Sequence, residues 1–278
     1  MGPLLTRKVL ELWRAALRAG CAEVECSLDL QRSLTRVQLR EHEWIWNGTS
    51  YPFPDVCKDR TIYHWQAPRF EPVARYAGSL IKLVPTDWGP PTFEIDGIKM
   101  LPTARISPYV DAERKVALIK PRGKTILDTC GGLGYFASWC ASGGAARVVS
   151  YEKNSDVLWL RSLNPWSPAA DGVIGLTRAD VTAEIGGLAH ASCDAILHDP
   201  PRFGTAGELY SQAFYGELAR VLKAGGLLFH YTGTPNKLTS GRDVPREVAK
   251  RLSAAGFTTH FIGDGVLAER KGKGKLSP

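Results

Sequence analysis

Three short segments carry residue types that bind and activate a small polar ligand. In Asp128-Thr-Cys-Gly-Gly-Leu-Gly-Tyr135 an acid is followed by glycines 131, 132 and 134. Lacking a Cβ, these glycines let the backbone turn tightly and come close to a ligand. Gly132-Leu-Gly-Tyr-Phe-Ala137 also fits the dinucleotide pattern G-x-G-x-x-A, so this turn alone leaves NAD open. Tyr151-Glu152, about twenty residues further on, supplies a carboxylate able to accept from both hydroxyls of a ribose. Arg178-Ala-Asp180-Val181 supplies an acid and an apolar side chain suited to the amino group and ring face of adenine. Leu197-His-Asp199-Pro-Pro-Arg-Phe203 sets an acid before two prolines, which remove backbone donors and stiffen the loop. A ribose acid, an adenine-side acid and a rigid acidic loop together favour S-adenosylmethionine (SAM) over NAD.

These residues need a scaffold that brings strand ends together, and the second half of the chain has that pattern. Strands are expected at Thr125–Asp128, Arg147–Tyr151, Asp194–Leu197 and Gly226–Tyr231, with Phe257–Ile262 as the final strand. Helices are expected through Trp139, over Ser155–Leu163, over Leu209–Leu222 and over Val244–Ala255. Alternation of this kind implies right-handed β-α-β crossovers and a parallel sheet, whose ligands sit beyond the carboxyl ends of the strands. The fold class is α/β, a Rossmann-like sheet with a small β-rich N-terminal domain.

The N-terminal part has a different texture. Leu10, Trp13, Ala16 and Leu17 recur at helical spacing between Arg7 and Ala19. Val24–Leu28 and Thr35–Leu39 then alternate apolar and polar residues as half-buried strands do. Prolines at 52, 54, 68, 72, 85, 90 and 91 cut this region into turns. The expected organisation is a helix and β-rich cap over 1–105, a SAM-binding domain over 106–269, and a basic tail over 270–278.

Composition narrows the function classes. With 44% hydrophobic and 23% charged residues the chain is globular, and no apolar run approaches the roughly 18 residues that cross a bilayer. Arg7, Lys8, Arg14 and Arg18 interrupt any secretory signal, so the expected compartment is the cytoplasm, with no membrane partner. Without the four positive charges of Arg270-Lys-Gly-Lys-Gly-Lys275 the net charge falls from +7 to +3, which argues against a nucleic-acid partner. Six cysteines form no C-x-x-C pair, so no zinc or other metal is expected. Five of the eight tryptophans, Trp13, Trp44, Trp46, Trp65 and Trp88, fall in the first 88 residues, enough to build a core or to wall a cationic ligand. Asn47-Gly-Thr49 matches a glycosylation sequon, idle in a cytosolic protein. No sequence feature sets an oligomeric state.

From Asp128 to Phe261 the chain resembles class I SAM-dependent methyltransferases. The resemblance assigns Asp128, Gly131, Gly132 and Gly134, with Thr129 among them, to the motif cradling the methionine part of SAM. It assigns Glu152 and the adjacent Lys153 to the ribose, Asp180 and Val181 to the adenine, and Asp199 and Pro200 to the loop beside the reacting centre. The chain also resembles a group of methyltransferases predicted in archaea, through Val24-Glu-Cys-Ser-Leu-Asp29, Glu94-Ile-Asp-Gly-Ile-Lys-Met100, Arg161-Ser-Leu-Asn-Pro-Trp-Ser167 and Phe229-His-Tyr231. Cys130-Gly131-Gly132 departs from the Thr-Gly pair commoner in that group. Gly207–Leu218 resembles the segment after the catalytic acid in spermidine-synthase-type aminopropyltransferases.

Three chemistries follow from these resemblances. The first is methyl transfer to a small molecule, with Asp199 as the base and Tyr210 or His198 as further candidates. The second is attack on the 3-amino-3-carboxypropyl arm of SAM, as in the similar azetidine-2-carboxylate synthases, releasing methylthioadenosine. An aromatic lid from the tryptophan-rich region would shield that sulfonium by cation–π contact, at about 0.5–2 kcal/mol per ring. The third is methylation of a nucleic acid, where the aromatic residue stacking on a flipped base directly follows the prolines. Here Arg202 intervenes and Phe203 comes one position late. Structural readings stand beside these: His198 and His230 as core histidines, Tyr215 as packing, and Cys130 as a small turn residue.

Overall fold

The computed structural model describes residues 2–202, 204, 206–233 and 243–272. The chain divides into one unit of Met1–Asp111 with Trp159–Ser167, and a second of Ala112–Leu158 with Pro168–Pro278.

In the second unit, short apolar runs at the sheet centre give strands covered on both faces, while the outermost strands are partly exposed. They form one sheet of seven: β1 Thr125–Asp128, β2 Arg147–Tyr151, β3 Ile174–Thr177, β4 Cys193–His198, β5 Leu222–Tyr231, β6 Phe257–Ile262 and β7 Gly265–Arg270. Their order is β3-β2-β1-β4-β5-β7-β6. β1 to β5 pair in parallel, and β7 is antiparallel to both its neighbours. The order reverses between β1 and β4, where a ligand crevice opens in such sheets. Leu127, Ile196, Leu228, Val266 and Ala268 of the sheet pack with Phe214, Leu218, Val248 and Leu252 of its helices in one buried cluster.

Several expectations are corrected here. Phe257–Ile262 is followed by β7, which inserts between β5 and β6. Arg270 therefore belongs to a strand, paired with Phe257, and its guanidinium donates to the Leu222 carbonyl. Of the expected basic tail, Lys273 and Lys275 lie outside the described residues. The helix expected over Leu209–Leu222 is a 3-10 turn, Gly207–Tyr210, then a helix, Gln212–Val221. Ser211 separates them because its hydroxyl caps the second by accepting from Phe214 N at 3.1 Å. Leu222 already begins β5, whose register against β4 shifts between Cys193 and Ala195. The helix Pro108–Ile119 was not anticipated.

The first unit contains the helix Arg7–Arg18 and three antiparallel sheets, two of four strands and one of three. In one of them Asn47-Gly48 connects Glu43–Trp46 to Thr49–Pro52, both turn residues at positive φ, so the sequon is a hairpin turn. Trp13 and Trp44 are fully buried, their ring centroids 4.7 Å apart, and Trp44 stacks on Tyr51 at 4.6 Å. Trp46 and Trp65 pack against the same cluster. The lid expected of these rings is therefore not available to Trp13 or Trp44, which are spent on the unit's own core. Only Trp88 is substantially exposed, at 46%. Among the described residues, no helix is long and apolar enough to cross a membrane.

Candidate active site

At the carboxyl end of β1 the chain enters the glycine turn. Asp128 is fully buried and accepts from the Ser150 hydroxyl at 2.8 Å. Ser150 stands opposite it on β2 in parallel register. Gly132 and Gly134 have φ of 49° and 82°, and Gly134 caps the helix Tyr135–Ser142 in the left-handed region. Gly131 N donates to Tyr151 O at 2.7 Å, which ties the turn to the end of β2.

Glu152 braces that turn. Its Oε2 accepts from Gly132 N at 3.0 Å, and its Oε1 accepts from Asn154 N at 2.8 Å. These two bonds fix the orientation of the carboxylate at the end of β2. Asn154 in turn caps the next helix, its side-chain oxygen accepting from Asp156 N at 2.8 Å.

Asp180 caps the helix Val181–Glu184, accepting from Thr182 N at 2.9 Å and Thr182 Oγ1 at 2.7 Å. Burial works to raise its pKa, but the Thr182 bonds and the Lys153 ammonium outweigh burial and hold it below the usual carboxylate range. Lys153 lies 3.4 Å from Asp180 and 3.6 Å from Glu208. Burial alone would lower the Lys153 pKa, but the two acids raise it. Val181 is buried in the core cluster.

Asp199 follows β4 directly and is half-buried, with Pro200 buried behind it. The other two residues considered as bases are placed differently. His198 is fully buried, with Nδ1 2.7 Å from Thr129 Oγ1 and Nε2 3.1 Å from Leu209 O. Burial pushes its pKa down to about 4, against the raising effect of the Leu209 bond. Tyr210 is 1% exposed, and its hydroxyl donates to Pro201 O at 3.0 Å. Burial first, then the Tyr215 and Asp199 charges, push its pKa well up, away from phenolate. His198 and Tyr210 are thus internal groups, each bonded to a backbone carbonyl, while Asp199 stands half-buried at the strand end. His230 is likewise a core histidine, bonded to the Tyr215 hydroxyl at 2.8 Å. Burial, reinforced by Glu152, raises the Cys130 pKa well above the ordinary value. Phe203 lies outside the described residues.

Two contributors to the site were missed, and so was one buried cation. Ser150 and Asn154 orient Asp128 and the segment after Glu152, and a serine inside the apolar run of β2 was the available signal. Lys115 is buried, 3.5 Å from Asp264 and with its ammonium 4.1 Å above the Tyr231 ring. Nothing in the periodicity of its helix marks it.

No protein-family model matches the chain. It is 45% identical over 178 residues to an uncharacterized protein of Methanocaldococcus jannaschii, a match spanning 63% of this chain and 61% of that relative. Among solved structures it is similar to spermidine synthase in complex with the transition state analogue AdoDATO, at TM-score 0.57 and 16% identity, covering 72% of this chain and 73% of that one. Spermidine synthase from Thermotoga maritima gives TM-score 0.55 and 17% identity, covering 72% of each chain. A SAM-dependent methyltransferase from Mesorhizobium loti gives TM-score 0.45 and 17% identity, covering 58% of this chain and 96% of that one. The second unit thus has a Rossmann-like α/β sheet, the fold class expected from the sequence.

Proposed function

We propose that the chain is a SAM-using enzyme acting on a small molecule, with methyl transfer as its default reaction. The observation that carries this reading is a juxtaposition. The glycine turn after β1 and the acidic Pro-Pro loop after β4 flank the one point where the sheet order reverses. The donor set suits SAM: Gly131, Gly132 and Gly134 with Asp128 and Thr129 for the methionine arm, Glu152 and Lys153 for the ribose, Asp180 and Val181 for the adenine. When bound, SAM supplies an electrophilic carbon on a good leaving group. The chain's own task is then to orient an acceptor and take its proton, which Asp199 does from the end of β4, with Pro200 stiffening its loop.

A second reading is attack on the 3-amino-3-carboxypropyl arm with release of methylthioadenosine. It is favoured by the likeness to two spermidine synthases at TM-scores above 0.5 and by the resemblance of Gly207–Leu218 to aminopropyltransferases. Trp13 and Trp44 lend it no lid, since both are core residues. The nucleic-acid reading is weaker still, because Arg270 is held in β7 and not in a free basic tail.

Product analysis after incubation with SAM decides between them. S-adenosylhomocysteine formed only when an acceptor is present supports methyl transfer. Methylthioadenosine formed from SAM alone replaces it with the second reading. Absence of SAM binding overturns both.

A further inference from the structure

The loop carrying Asp199 leaves β4 at His198 and returns through the turn Gly207–Tyr210. Two side chains close its base, one from each end. His198 Nε2 faces the Leu209 carbonyl at 3.1 Å, and the Tyr210 hydroxyl donates to Pro201 O at 3.0 Å. A carbonyl only accepts, so Nε2 carries the His198 proton, and the Thr129 hydroxyl, 2.7 Å from Nδ1 and 3.2 Å from Leu197 O, gives its one hydrogen to the nearer acceptor, Nδ1. Thr129 opens the glycine turn, and its N–H donates to Leu197 O at 3.1 Å. One imidazole therefore spans the two loops that flank the reversal of the sheet.

The ring is held on its other sides as well. Its centroid is 4.4 Å from that of His230, edge-on at 81°, and 5.5 Å from that of Phe214. His230 is fixed in the opposite tautomer, because its Nδ1 faces the Tyr231 carbonyl at 2.8 Å and its Nε2 accepts from the Tyr215 hydroxyl. Two buried neutral imidazoles with opposed tautomers make a rigid strut across β4 and β5, which pair at these two residues.

We infer that His198 and Tyr210 are positioning residues: His198 couples Thr129 of the glycine turn to Leu209 of the acid loop, and Tyr210 holds Pro201, so that together they fix where Asp199 stands. The catalytic consequence rests on the function proposed above; the strut itself does not.

Hydrogen–deuterium exchange on the full chain tests it, using His198→Gln, His198→Asn, His198→Phe and Tyr210→Phe. A glutamine amide nitrogen reaches the place of Nε2 and keeps the Leu209 bond. An asparagine oxygen reaches the place of Nδ1 and keeps the Thr129 bond. Exchange in the peptide 199–211 should rise about tenfold, the factor for one lost hydrogen bond, in the Asn, Phe and Tyr210→Phe proteins and stay near wild type in the Gln protein. The glycine-turn peptide 126–135 should show the converse, faster in Gln than in Asn. With SAM as probe, Kd should rise about tenfold in Gln, where the glycine turn loosens, and stay near wild type in Asn and Tyr210→Phe. Tyr210→Phe removes a single oxygen and keeps the test available if a His198 variant fails to fold. Equal exchange in the Gln and Asn proteins, or no change in Tyr210→Phe, would overturn the inference. The predicted exchange pattern without SAM binding would remove the proposed function and leave the strut standing.

Discussion

Replacing Glu152 by glutamine changes one oxygen to an amino group at almost constant volume. In the structure both oxygens accept backbone N–H groups, from Gly132 at 3.0 Å and Asn154 at 2.8 Å. Glutamine satisfies one of these donors and turns its NH2 toward the other. The negative charge that strengthens every bond to this group is lost as well. A hydrogen bond to a charged group contributes about 1.5–3 kcal/mol, against about 1 for a neutral pair. Two bonds to the ribose diol weakened from charged to neutral cost about 2 kcal/mol, or roughly thirtyfold in Kd for SAM, while the bond lost from the turn lowers the melting temperature. Calorimetric titration of both proteins, with a thermal melt of each, gives the two numbers needed. A Kd within threefold of wild type, accompanied by a lower melting temperature, would show that Glu152 only braces the turn and would refute its role as the ribose acid.

Burial holds the His198 pKa at about 4 and that of His230 well below its ordinary value. The unfolded chain, with histidine at about 6.5, takes up protons first as pH falls. The stability contributed by the neutral pair is therefore complete above that value and is lost toward pH 4, on the order of 3 kcal/mol for His198. Urea midpoints at pH 7.5 and pH 5 should accordingly diverge less in His198→Gln than in wild type, and equal divergence would contradict this. Asp180→Ala removes the cap bond to Thr182 N and should cost about 1 kcal/mol, seen as a lower melting temperature. Trp44→Ala empties a fully buried site stacked on Tyr51 and should cost about 3–5 kcal/mol, with unchanged SAM affinity in the protein that remains folded. Weakened SAM affinity there would restore the shielding role.

The strand ends were the most legible part of the chain. Thr125–Asp128 and Arg147–Tyr151 read correctly because a strand buried on both faces is a short apolar run, and the polar residues that end it stand out. Asp128, Glu152 and Asp199 could be located for the same reason. The roles of His198 and Tyr210 could not, because Thr129, Leu209 and Pro201 become their partners only once β1, β4 and the loop are folded together. Arg270 misled for a related reason: next to Lys271 it reads as tail, and only pairing with Phe257 and the Leu222 carbonyl makes it the end of β7. The helix after Asp199 was drawn too long because Ser211, a residue tolerated within helices, serves here as an N-cap. The tryptophan excess was visible, but whether a ring lines a ligand or fills a core depends on neighbours such as Tyr51 that periodicity does not reveal.

Titration of the intact protein with SAM in a calorimeter tests the central claim most directly. The account predicts saturable one-to-one binding with a matching rise in melting temperature. No heat of binding and no thermal shift would contradict it.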